Sequence, residues 1–267
     1  MSFRKIVLSV SLIAFLGFNS LFMSSCGGKD SKYDTSEEES TEDGVASAAI
    51  SLADAGSIKG VVSFEGTAPV ASPLAMESDP VCSAKKSEAT NEYQDVCIND
   101  GKLGNVFVYI SKGLEGKSFP ESSYPKAELD QSGCKYIPRI IGAVVGQQIT
   151  IKNQDPTMHN VHATPTINKG FNIAQPNAGM TAQKSFDKEE TMVTISCDVH
   201  GWMRSYVGVC SHPCFAVSAK DGSFNIPNVP PGDYTVTAWH EKFGKQEQVV
   251  KIAAKESKDL PLTFKAQ

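Results

Sequence analysis

Short runs rich in Val, Ile, Phe, Tyr and Thr, cut every few positions by Gly, Pro, Asn or Asp, recur from about residue 57 to the end of the chain. Runs of that length and composition form strands, and long amphipathic helical runs are absent. Ile58, Gly60, Val62 and Phe64 alternate with Lys59, Val61 and Ser63. Asn105 to Ser111 is apolar on both faces, as a central strand is. Tyr136 to Ile141 is a strand candidate, and Gly142 to Gly146 leads into a turn. Gln148 to Asn153 alternates with Ile149 and Ile151 inward. In Thr191 to Cys197, one face carries Val193, Ile195 and Cys197, the other Thr194 and Ser196. Phe215 to His240 reads as three strands, with tight turns at Asp221-Gly222 and at Pro230 to Asp233. Gln248 to Ile252 and Leu260 to Phe264 supply two more. Residues 112–125 and 170–182 read as loops. Nothing alternates strand with helix, so the expected class is all-β.

The N-terminal region has a different character. Arg4 and Lys5 precede an apolar stretch from Ile6 to Phe22, followed by Met23-Ser24-Ser25-Cys26-Gly27-Gly28. Small residues before a Cys after such a stretch resemble a bacterial lipoprotein signal, although the family most often has Leu where Met23 stands. The resemblance implies a signal peptide over 1–25, lipid on Cys26 and an extracytoplasmic, oxidising compartment. It also implies anchorage in a lipid bilayer, with the outer membrane facing the periplasm, or the cell surface, as the expected place. Residues 26–56 then read as an acidic, disordered tether: six acidic residues fall between Asp34 and Asp43, with little to bury.

Two segments carry the chemistry. Thr194 to Val207 holds Cys197, His200 and Met203 within seven residues. Thiolate, imidazole and thioether are the donors that copper prefers, and two His, one Cys and a weak Met make an electron-transfer copper site. The second imidazole must come from Met158-His159-Asn160-Val161-His162, with His159 the expected ligand and His162 the rival. Zinc is the competing metal, but Met is a poor zinc ligand. Trp202 is expected to pack over the metal. A net charge of −5 and a pI near 5.6 argue against nucleic acid as a partner.

Residues 126–211 resemble a cupredoxin of the plastocyanin and pseudoazurin kind. The resemblance rests on N-Q-D-x-x-x-H-N at 153–160, on the 37 residues between His159 and Cys197, and on C-x-x-H-x-x-M at 197–203. It implies a Greek-key β-sandwich with one copper held by His159, Cys197, His200 and Met203, and with Asn160 pinning the ligand loop by hydrogen bonds. The Met follows the His at a shorter spacing than small cupredoxins use, so the axial position is the least secure of the four. The flanks, 57–125 and 212–267, resemble a carboxypeptidase regulatory-like, transthyretin-like sandwich, carried by D-G-S-F-N-I-P-N-V-P-P-G-D-Y-T-V at 221–236. The copper domain is then inserted in, or adjoins, that second sandwich.

The remaining mature cysteines are Cys82, Cys97, Cys134, Cys210 and Cys214. The preferred bridge is Cys82 to Cys134. Cys210 and Cys214 could close a small loop around Pro213, or join His212 in a second metal site. Cys97 is left over, and spacing does not decide connectivity. His240 is expected to be a packed side chain. The five histidines cannot supply a multicopper cluster in addition to the site above, so the chain is expected to carry electrons to a redox protein that the sequence does not name, rather than to catalyse. The alternative is a non-redox structural or carbohydrate-binding-like sandwich with copper as an accessory.

Overall fold

The computed structural model describes residues 50–70, 74–85 and 95–266. Cys26, the signal peptide over 1–25 and the tether as far as residue 49 lie outside the described residues. The last part of the expected tether is folded. Ile50 and Leu52 pack against the core of the first sandwich, and the Ile50 N–H donates to Ser118 O at 2.9 Å. Burial of these two apolar side chains draws residues 50–52 onto the body.

Four strands come first: β1 (Gly56–Glu65), β2 (Ile98–Asn99), β3 (Lys102–Leu103) and β4 (Phe107–Lys112). Nine more follow: β5 (Glu128–Gln131), β6 (Tyr136–Ile137), β7 (Ile140–Val144), β8 (Ile149–Asn153), β9 (His159–Thr164), β10 (Phe171–Gln175), β11 (Thr181–Lys184), β12 (Glu190–Ser196) and β13 (Arg204–Cys210). The chain ends with β14 (Phe215–Val217), β15 (Ser223–Val229), β16 (Gly232–His240), β17 (Gly244–Ile252), β18 (Ser257–Asp259) and β19 (Leu262–Lys265). The class is all-β.

Strands from both ends of the chain share sheets. β1 pairs with β15 and β3 antiparallel and with β18 and β19 parallel. β4 lies between β14 and β16, with β17 outside β16. The two sheets close on Ile58, Val62, Val108, Ile110, Ile226 and Val236, all at most 1% exposed. Strands β5 to β13 form a second sandwich. One sheet runs β10-β9-β12-β13-β7, the other β11-β8-β5-β6. Leu129, Ile151, Val161, Val193, Ile195 and Val207 fill the space between them.

Two local expectations are corrected. Residues 136–141 are not one strand: β6 joins β5 in one sheet and β7 joins β13 in the other. Pro138 separates them, and without an N–H it cannot continue a ladder. β7 then runs through Gly142 to Val144 where a turn was expected. Residues 170–182 are not all loop, because β10 pairs with β9 and β11 begins at Thr181 and pairs with β8. Both are edge strands with half-exposed side chains, so their hydrophobic alternation is faint.

The two sandwiches meet on glycines. Gly142 of β7 and Gly208 of β13 are cross-strand partners. A Cβ on Gly142 would lie 2.1 Å from the Phe215 ring, and one on Gly208 would lie 2.6 Å from the Phe107 ring. The bare backbone thus gives the two rings, 5.5 Å apart, a flat seat. Beside them the Arg139 guanidinium donates twice to the Glu241 carboxylate, at 2.6 and 2.8 Å, with both side chains under a tenth exposed.

Candidate metal centre

β9 opens on His159, and β12 ends one residue before Cys197. Because β12 pairs with β9, Ser196 opposite His162, the strand ends bring the two chemical segments side by side. The turn from Cys197 to Met203 is closed by the Met203 N–H on His200 O at 2.9 Å and the Cys197 N–H on Met203 O at 3.4 Å. Asn160 joins the segments. Its Oδ1 accepts from Cys197 Sγ at 3.2 Å and from the Asp198 N–H at 2.7 Å, and its Nδ2 donates to Asn172 and Asp198.

The result is a buried meeting of three donors. Nδ1 of His159 lies 2.9 Å from Nδ1 of His200, and Cys197 Sγ lies 3.8 Å from the latter. One ligand atom from each residue falls within 4.8 Å of the others, and none of the three residues is more than 3% exposed. The outward nitrogens are both held by carboxylates. His159 Nε2 is 2.9 Å from Asp155 Oδ2, and His200 Nε2 is 3.2 Å from Asp79 Oδ2. With each Nε2–H donated to a carboxylate, the His200 Nδ1 turns its lone pair toward His159 and sulfur, and the His159 Nδ1, whose N–H hydrogen-bonds Cys197, offers a second lone pair once that proton leaves. Such a carboxylate–histidine arrangement fixes ligand tautomers around a metal. Two imidazoles and a thiol that can lose its proton suit copper or zinc.

The protonation of these groups follows from their neighbours. Burial acts most strongly on His159 and opposes its charge, but the Asp155 and Cys197 hydrogen bonds and charges outweigh it and raise its pKa to about 9. Burial likewise pushes the Cys197 thiol up, yet hydrogen bonds from His159 and from backbone N–H groups of Asn160, His200 and Val199 bring it below its ordinary value. Burial lowers His200, with Asp79 opposing. Asp155 is pushed up by burial but held low by His159 and by the N–H groups of Gly133 and Cys134, at 2.7 and 2.8 Å.

Met203 is 1% exposed and belongs to the same apolar core as Cys197. The Trp202 ring lies 5.0 Å from the His200 ring, and its indole N–H donates to Cys134 O at 2.9 Å. His162 is not part of the group. It sits on the opposite face of β9 from His159, 38% exposed, with Nδ1 2.9 Å from Asp198 Oδ1. The two carboxylates escaped sequence reasoning. Asp155 stands inside the N-Q-D segment, four residues before His159, and that spacing was its only signal. Asp79 had none.

The sulfurs of Cys82 and Cys134 are bonded. Cys210 and Cys214 are not, which corrects the expected small loop. Cys210 points into the seam with Phe107 and Ile140, whereas Cys214 points into the first sandwich's core. His212 between them is spent on the backbone, with Nε2 3.0 Å from Ile110 O and Nδ1 accepting the Cys214 N–H. Cys97 is a buried thiol that accepts from Asn99 Nδ2 at 3.6 Å. His240 is 1% exposed and stacks on Phe243 at 4.7 Å between ring centroids.

Fold and site together define an all-β protein whose His159, Cys197 and His200 can hold a metal ion. A family model described as polysaccharide lyase family 4, domain II, matches residues 187–260. No curated protein sequence matches the chain. Among solved structures, a Cu(I) amicyanin variant is 21% identical over 31% of this chain and 80% of its own, with a TM-score of 0.28. A purple cupredoxin from Nitrosopumilus maritimus is 23% identical over 31% of this chain and 98% of its own, at 0.27. A copper-containing nitrite reductase from Thermus scotoductus is 15% identical over 37% of this chain and 24% of its own, also at 0.27.

Proposed function

We propose that this protein is an electron-transfer module with one type 1 copper, held by His159, Cys197 and His200, with Met203 as the weak fourth donor. The observation that carries the reading is the convergence of three buried donor atoms whose outward nitrogens are already committed to Asp155 and Asp79. Bound copper would supply one-electron chemistry by alternating between Cu(I) and Cu(II). The chain's own part is to keep the donors in one arrangement and to keep water out. Strand ends hold His159 and Cys197, Asn160 ties their loops, and Trp202 covers His200.

In this reading the chain is a carrier rather than an enzyme, and its partner is another redox protein outside the cytoplasm. Lipid on Cys26 anchors it to a bacterial membrane, the outer membrane or cell surface being the proposed place. Voltammetry of the copper-loaded chain tests the electron-transfer claim. A reversible one-electron wave that follows copper content is expected. Tightly bound copper with no reversible wave would refute it.

A second reading takes the sandwiches as a structural or carbohydrate-binding-like module with copper as an accessory. Its support is the family match over residues 187–260. Polysaccharide binding that is equal with and without copper would favour it.

A further inference from the structure

His200 sits in a turn whose neighbours Asp198, Val199 and Gly201 are all exposed, yet it is itself 1% exposed. Besides Trp202, what covers it comes from the segment between β1 and β2. Between β1 and β2 the described residues include a turn of 3₁₀ helix at Met76–Ser78 and a short helix, α1 (Pro80–Ser83). We propose that this excursion, residues 74–85, is a fixed lid over the His200 side of the metal centre, with Asp79 as the positioning residue that holds His200 in its ligating orientation. The proposal rests on the metal reading above.

One carboxylate does the joining. Asp79 Oδ1 accepts the N–H groups of Val81 and Cys82, at 2.7 and 3.0 Å, so its own turn fixes its direction. Oδ2 accepts from Thr157 Oγ1 at 3.2 Å and from His200 Nε2 at 3.2 Å. Thr157 lies two residues before His159, so Asp79 contacts both imidazole-bearing loops at once. By accepting the hydrogen bond from Nε2–H it leaves the His200 Nδ1 lone pair facing Cys197 and His159.

The lid is fastened at its centre. Cys82 is bonded to Cys134, and both are 0% exposed. Met76 joins them in a small separate core, against which Leu74 and Trp202 pack. Cys82 Sγ lies 3.8 Å from His200 Nε2, so the bridge itself lies against the ring. Tautomer control and exclusion of water and chelators from the outer edge of His200 therefore depend on the same short segment.

The test uses Asp79→Ala, Asp79→Asn and the pair Cys82→Ser with Cys134→Ser. In the metal-free protein, nitrogen-detected NMR of His200 should show Nε2–H with bare Nδ1 and slow proton exchange. Asp79→Ala should mix the tautomers and speed exchange about tenfold, while Asp79→Asn, which keeps an acceptor, should fall between. In the Cu(II)-loaded protein, transfer of copper to EDTA should be roughly ten- to a hundredfold faster in Asp79→Ala, and faster again in the double serine variant if that variant folds. Unchanged tautomer and exchange in Asp79→Ala would overturn the lid, as would unchanged copper release. If the wild-type chain holds no copper, the metal reading fails, and the metal-free NMR still decides whether Asp79 holds His200.

Discussion

Glu190 gives the sharpest thermodynamic prediction. Its carboxylate closes the connection between β9 and β10 by accepting from Thr166 Oγ1, Asn168 Nδ2 and the N–H groups of Thr166, Ile167 and Asn168, all within 3.2 Å. Burial pushes its pKa up, but those donors together bring it from the ordinary 4.5 down to about 2. A carboxyl so depressed on folding contributes about 3 kcal/mol at neutral pH. The sign follows from linkage: the unfolded chain takes up the proton first as pH falls. The contribution is full above about 4.5 and is lost as pH falls through about 2. Glu190→Gln should therefore cost about 3 kcal/mol at pH 6, and the difference from wild type should shrink toward zero near pH 2. Urea unfolding of both proteins at several pH values measures that difference, in which the other carboxylates cancel. A cost that stays constant from pH 6 to pH 2 would refute the electrostatic account and leave only shape.

Further outcomes follow from the seam and the site. Gly142→Ala places a methyl against the Phe215 ring and should destabilise by about 1–3 kcal/mol through overpacking, read by thermal or denaturant unfolding. Asn160→Ala removes the acceptor for Cys197 Sγ and the Asp198 N–H. It should cost about 1–3 kcal/mol and speed copper loss to a chelator. His162→Ala touches a half-exposed side chain outside the donor group. It should leave copper stoichiometry unchanged and stability within about 0.5 kcal/mol.

How far the chain could be read depended on which forces leave a periodic or chemical trace. Ile149 with Ile151, and Val193 with Ile195, each face one core, and their two-residue period showed in the sequence. β10 and β11 are edges whose side chains are half in water, so their period was lost. Pro138 was visible, but its consequence, a strand divided between two sheets, depended on partners far along the chain. At the site, His159, Cys197 and His200 were legible because soft donors at short spacing are rare. Asp79 was not, because an aspartate before a proline reads as an ordinary turn, and its imidazole partner lies 121 residues away. Cys210 and Cys214 looked like a pair because they are close in sequence, yet the chain between them crosses from one core to another.

The central claim is that Cys197 and two imidazoles hold one copper as an electron-transfer site, and its most direct test is the visible spectrum of the purified chain after one equivalent of Cu(II). The account predicts one copper per chain and an intense blue or green absorption that Cys197→Ser abolishes. A wild-type chain that binds Cu(II) and stays colourless, or a serine variant that keeps the colour, would contradict it.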